Sequence, residues 1–222
     1  MDALDRVEAP ARDLVARVDD TLAASGAPAG HRIWPLLRRV GALVGDAVAA
    51  IVALAPDPLR GCAADLRQLA GEHVRLRATA GEPGNWTGAA AEAYADRWRD
   101  LGGFLGGSAE PGEESLAGRL AATAGYLDDV ADWMTAARLA LAEALAAALC
   151  SAEAVALRSP AAAERSVAAA TIGAHVLAVA AGECDRGQAV HDRWAGRLDE
   201  LPYRAAASSV VRAQGGTTTV SL

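Results

Sequence analysis

Residues 58–80 read PLRGCAADLRQLAGEHVRLRATA. Leu59, Cys62, Leu66, Leu69, His73, Leu76 and Ala80 recur at alternating three- and four-residue intervals, the spacing of a narrow apolar seam along an α-helix. The alternation returns at Leu116, Leu120, Thr123, Leu127, Val130, Met134, Ala137 and Leu141. A Gly/Pro/Asn break at 81–88 separates the two stretches. The pattern therefore predicts an antiparallel hairpin with arms 58–81 and 89–157. Its expected seam is Leu59, Leu66, Leu69 and Leu76 against Tyr94, Trp98, Leu101, Leu120, Leu127, Val130 and Met134. Residues 106–115, GGSAEPGEES, interrupt the second arm or loop out of it. Continued to Leu157, the helix starting at 116 would be a rod of roughly 60 Å.

Working outward, residues 2–24 carry Leu4, Val7, Ala11, Leu14 and Val18 on one face, with Pro10 inside the stripe to kink the helix or mark its first turn. Residues 33–55 form a second stripe from Ile33 to Ile51, apolar on most sides, and Ala55-Pro56-Asp57-Pro58 ends it. Ser159-Pro160 is an N-cap with proline at the first helical position. The helix it opens is expected to run to Gly182, followed by a last amphipathic stretch at 185–201. The organisation is a helical pair (1–57), the hairpin (58–158), helices that pack on the bundle (159–202) and a tail (203–222) without a core-forming pattern, expected to be mobile.

Composition agrees with an all-α class. The chain of 222 residues has 57 alanines, three isoleucines and only four residues that are Phe or Tyr. Alanine is the best helix former, while β-branched and aromatic residues favour strands. All 21 basic residues are arginine, which reads as the codon bias of a high-GC bacterium. A net charge of −7 leaves no electrostatic footprint for nucleic acid. Residues 108–135 hold Glu110, Glu113, Glu114, Asp128, Asp129 and Asp132 against Arg119. That run is either a solvated face or a docking surface for a basic partner.

Residues 81–101, GEPGNWTGAAAEAYADRWRDL, carry Trp86-Thr87-Gly88 between two heptad-patterned helices, followed by an alanine run and by Tyr94 and Trp98 at helical spacing. This stretch resembles the centre of the WXG family, the small helical-hairpin substrates of the ESX, or type VII, secretion system. The resemblance covers about 58–150. It implies that Trp86 closes the apolar end between two antiparallel helices and that Gly88 permits the reversal. It also implies dimers with itself or a related small helical protein, and contact with a type VII secretion ATPase. The chain would be cytoplasmic before export, and exported without a cleaved signal peptide. Two features depart from the family. No tyrosine is followed four positions later by an acid, since Trp98, Val130 and Ala207 stand at that offset from Tyr94, Tyr126 and Tyr203. The chain is also about twice the length of a minimal member. A second tripeptide, Trp194-Ala195-Gly196, falls inside an expected helix and reads as an accident of composition. Trp194 is expected to matter less than Trp86.

No catalytic constellation emerges. Cys62, Cys150 and Cys184 form neither a CxxC pair nor a disulfide framework. Cys184 and His191 would lie two helical turns apart, too far to share a metal ion. His73 and His175 are expected to be buried and hydrogen-bonded, His31 and His191 to face solvent. No catalytic residue, metal site or cofactor is expected. The apolar runs 40–56, 139–157 and 167–181 are either broken by a carboxylate or too short to span a bilayer. They are read as bundle helices, without membrane contact. The expectation is a non-enzymatic protein acting by helix–helix association. A stand-alone structural or adaptor bundle and a membrane-active helical protein are the alternatives.

Overall fold

The computed structural model describes residues 2–79, 87–106 and 115–199. Among them all regular structure is helical, in the order α1 (Ala3–Ser25), α2 (Ile33–Val40), α3 (Val44–Val52), α4 (Pro56–Thr79), α5 (Ala89–Gly106), α6 (Leu116–Leu149), α7 (Ala152–Ala156) and α8 (Ala162–Asp199). The protein is all-α.

Helix α1 starts with a capping box. Asp2 accepts from the Asp5 amide at 2.9 Å, and the Asp5 carboxylate accepts from the Asp2 amide at 2.8 Å. Pro10 lies well inside the helix, on its exposed side. The opposite side buries Leu4, Ala11, Leu14, Val15 and Val18.

The single helix expected at 33–55 is two helices. Gly41 ends α2 in a left-handed conformation, φ +69°, which glycine adopts without a Cβ penalty. Helix α3 then starts on a cap supplied from elsewhere. The Asp19 carboxylate of α1 accepts from the amides of Val44 at 3.2 Å and Gly45 at 2.8 Å. Burial pushes the Asp19 carboxyl above its usual range, against the opposing pull of those two amides. A β-carbon on Gly45 would stand 2.7 Å from Asp19 Oδ2, so glycine is needed there for the close approach.

Two further boundaries differ from expectation. Helix α6 stops at Leu149 and does not reach 157. Ser151 accepts from the Ala154 amide and donates to the Ala148 carbonyl, turning the chain into the short α7. Helix α8 is continuous through Gly182, where two helices were expected. The second arm expected at 89–157 is thus divided into α5, α6 and α7.

The main core lies between α1, α2, α3, α6 and α8, built on Leu14, Val18, Ile33, Val44, Leu141, Leu145, Val176 and Leu177. Arg138 of α6 ties three elements together at its edge. Its guanidinium donates to the carboxylates of Asp2 and Asp5, both at 2.6 Å, and to the carbonyls of Val52 and Leu54.

Helix α4 lies antiparallel against α6. Arg60 pairs with Asp132 at 3.0 Å, and Arg67, two turns later, pairs with Asp128. The buried residues at this contact are small: Ala63 and Ala70 on α4, Ala117, Ala124 and Ala131 on α6. Each set repeats every seven residues, so methyl groups line one stripe of each helix and the two backbones can approach closely.

Helices α6 and α8 exchange tryptophans. Trp133 of α6 lies over Gly187 of α8, where a β-carbon would stand 2.7 Å from the ring. Trp194 of α8 lies over Gly125 of α6, with the corresponding gap 3.0 Å. Trp133 donates its indole N–H to the Glu183 carbonyl at 2.9 Å.

Candidate association surface

The structure places the seam residues in three environments. Leu59, Leu66, Trp98, Leu120, Leu127, Val130 and Met134 are half-buried. Leu69, Leu76, Tyr94 and Leu101 are exposed, at 44%, 58%, 45% and 44%. Cys62 is exposed as well. On α4, therefore, Cys62, Leu69 and Leu76 form a seven-residue series turned to solvent, while Ala63 and Ala70, one position further round, meet α6. Tyr94 and Leu101 make a matching pair on α5. The last turns of α5 pack on the last turns of α4, with Gly102 against Arg77 and Gly106 against Val74 and Arg77.

Charge borders the exposed series. Asp65 and Glu72 flank it on α4, and both are exposed. Gln68 donates to Glu72 at 3.0 Å. Glu92, Asp96 and Asp100 lie along the exposed part of α5, with Arg99 paired to Asp96. Arg75 and Arg77 add positive charge near the end of α4.

Trp86 lies outside the described residues. Thr87 and Gly88 are exposed, and Gly88 has φ +103° just before α5, where its carbonyl accepts from the Glu92 amide at 3.1 Å. A side chain at Gly88 would be strained by that backbone, although no atom crowds the position. The second tripeptide, read as accidental, lies inside α8, and its tryptophan is well anchored. Trp194 is buried, donates to Asp129 at 2.7 Å, has the Tyr126 ring centroid 6.2 Å away and carries the Arg197 guanidinium over its face at 4.7 Å.

The aspartates expected as a solvated or docking face are used within the fold. Asp128 and Asp132 hold α4, and Asp129 holds Trp194 and Arg193 of α8. Glu110, Glu113 and Glu114 lie outside the described residues. Three histidine expectations also need correction, those for His31, His73 and His175. His175 is exposed, and His73 is half-buried with Nδ1 2.7 Å from the Leu69 carbonyl of its own helix. Both residues sit on helix edges that their neighbours do not cover. His31 is half-buried, its Nδ1 accepting from the Ile33 amide, and His191 is exposed.

Three depressions stand out elsewhere. One of about 410 Å³ between α1 and α3 is lined by Val15, Asp19, Gly45 and Val48 among others. One of about 450 Å³ lies between α7 and α8, and a neighbouring one of about 260 Å³ includes Arg32, Glu153 and His175. Among the described residues no group of His, Cys, Asp and Glu is placed to hold a metal ion. The stretches 44–78 and 162–198 are long and apolar enough to cross a membrane by length and composition. The first is interrupted at 53–55, and the second is mostly buried as the core helix α8.

Sequence reading missed the tryptophan exchange, the Arg138 clamp and the Asp19 cap. A usable signal was present for the first: isolated glycines inside helical patterns, such as Gly125, Gly173 and Gly187, often mark close packing. No protein-family model, curated protein or solved structure matches the chain.

Proposed function

We propose that this chain is a non-enzymatic helical protein that works through helix–helix association, as a type VII secretion substrate or the helical partner of one. The observation that carries the reading is the exposed series Cys62, Leu69 and Leu76 on α4, continued by Tyr94 and Leu101 on α5. Large apolar side chains repeated every seven residues are what a second helix packs against, and contiguous exposed apolar surface marks interaction sites. The partner would be a second copy or a related small helical chain. The resemblance of 81–101 to the WXG centre supplies the export half of the proposal, with a type VII ATPase as the exporting machine and the cytoplasm as the compartment before export.

A stand-alone structural bundle is the second reading. The Arg138 clamp and the tryptophan exchange favour it, because they tie α1, α3, α6 and α8 together within one chain. The two readings separate in one pair of experiments. Sedimentation of the full chain and its Leu69→Glu/Leu76→Glu variant reads association. Comparing culture medium from native-host cells with and without the type VII ATPase reads export. A monomer retained in both strains leaves the structural bundle.

A further inference from the structure

We propose that the groove between α1 and α3 binds a primary alkylamine, with the ammonium head on the Asp19 carboxylate and the alkyl chain along the valines beside it. The site belongs to two helices that take no part in the exposed series of α4 and α5, so it stands apart from the association reading.

The groove is built by helices fastened at both ends. Asp19 of α1 caps the start of α3 through the Val44 and Gly45 amides. At the other end Arg138 holds Asp2 and Asp5 of α1 together with the Val52 and Leu54 carbonyls. The two helices therefore run antiparallel, and between these ties they leave a depression of about 410 Å³. Its apolar wall is Val15, which is buried, with Val48 and Val52, which are half-buried. Ala16, Ala49 and Ala53 line it as well and are exposed, so only methyl groups stand at its mouth. From Gly45 to Ala53 the α3 side is about 12 Å long, which suits one unbranched chain. The volume falls in the range of about 300–1,000 Å³ usual for ligand clefts, which combine an apolar lining with a few polar groups.

The polar groups set the sign of the head. At one end Glu8 and Arg12 are paired with each other at 2.6 Å. At the other end Asp19 is half-buried and has no ion-pair partner among the described residues. The charges that act on it, Asp20 and Asp46, are both acidic. Arg17 lies about 160° away around α1, and Arg12 stands about two turns back along it. Burial outweighs the two amide bonds and holds the Asp19 carboxyl above its usual range, so its charge is under-compensated where it stands. A carboxylate offers about four lone-pair positions; two amides leave room for a further donor. An ammonium supplies both the donor and the missing charge, whereas a carboxylate or phosphate head would meet three acids. The net charge of −7 also draws cations toward the protein.

Isothermal titration calorimetry of the full chain at neutral pH with octylamine, octanol and octanoate tests this. Octylamine, charged under these conditions, should bind with a Kd of about 1 mM or below. Octanol and octanoate should bind about tenfold more weakly or not at all, because neither head brings the positive charge. Asp19→Asn keeps an acceptor for the α3 cap and removes the charge, so it should reduce octylamine to the level of octanol. Ala49→Trp places a large side chain at an exposed position on the groove; it should abolish binding with unchanged far-UV circular dichroism, and it decides the matter even if Asp19→Asn does not fold. Octylamine bound no more tightly than octanoate overturns the proposal. Binding that survives Ala49→Trp also overturns it, by placing the amine elsewhere on the protein.

Discussion

Trp194 of α8 donates its indole N–H to the Asp129 carboxylate of α6 at 2.7 Å, with its ring seated over Gly125. One side chain thereby joins two long helices by burial, a charge-assisted hydrogen bond and a glycine notch. Large-to-small changes of buried aromatics typically cost about 3–5 kcal/mol. Trp194→Ala should therefore lower the thermal midpoint far more than Trp34→Ala, whose side chain is 41% exposed. Equal shifts in calorimetry would remove Trp194 as an anchor.

The reciprocal notch gives a contrast between two glycines of one helix. Alanine at Gly187 would place its β-carbon 2.7 Å from the Trp133 ring, while nothing lies within 4 Å of a β-carbon at Gly182. Helix propensity alone favours alanine over glycine by about 1 kcal/mol, and overpacking costs about 1–3 kcal/mol. Gly182→Ala should stabilise the protein and Gly187→Ala should destabilise it. Urea denaturation midpoints of the two variants give the sign directly.

These contacts show what the sequence could and could not say. The three-four stripes of α1, α4 and α6 announced helices, and Ala63 lies beside the stripe that the eye follows through Cys62 and Leu66. A stripe identifies an apolar face without naming what that face meets. Here the small residues took the contact with α6, since methyl groups allow closer backbones, and the leucines were left partly outside. The break at Gly41 depended on a carboxylate from α1, twenty-five residues away in sequence from the Val44 amide it holds. The end of α6 at Leu149 was legible only in hindsight, from Ser151 as a cap in an otherwise unbroken alanine run. The contact of Trp194 with Gly125 was not legible from the tripeptide, which says nothing of the glycine that faces it on another helix.

The Arg138 clamp makes an acid-dependent contribution. Hydrogen bonding from Arg138 is the largest cause that lowers the Asp2 carboxyl from 3.8 to about 2. A depressed carboxyl stabilises the fold fully above its unfolded value, and that share is lost as pH falls from about 4 through 2. The Asp2 side chain is 46% exposed, so solvent screening holds its share to about 1 kcal/mol. Wild type should exceed Asp2→Asn in stability at about pH 6, and the gap should close below about pH 2. Arg138→Met should cost more, because it also removes the hydrogen bonds to Asp5 and to the Val52 and Leu54 carbonyls. Denaturant titrations at the two pH values read both effects.

Glu183 is buried, with Oε1 paired to the exposed Arg186 and Oε2 without a hydrogen-bond partner among the described residues. A buried carboxyl with one unmet oxygen carries a desolvation cost, and an apolar side chain of similar volume removes it while leaving Arg186 in solvent. Glu183→Met should not lower the melting temperature and should raise it by several degrees. A clear drop would mean that Oε2 has a partner, such as an ordered water, that holds the carboxylate in place.

Association through the exposed series of α4 is tested most directly by sedimentation equilibrium of the full chain at about 10–100 µM, the range of weak helical dimers. The wild type should show a weight-average mass rising with concentration above 22.6 kDa. The Leu69→Glu/Leu76→Glu variant should stay at the monomer mass with the same helical circular dichroism, because neither leucine is buried. Identical masses for wild type and variant across that range would contradict the account.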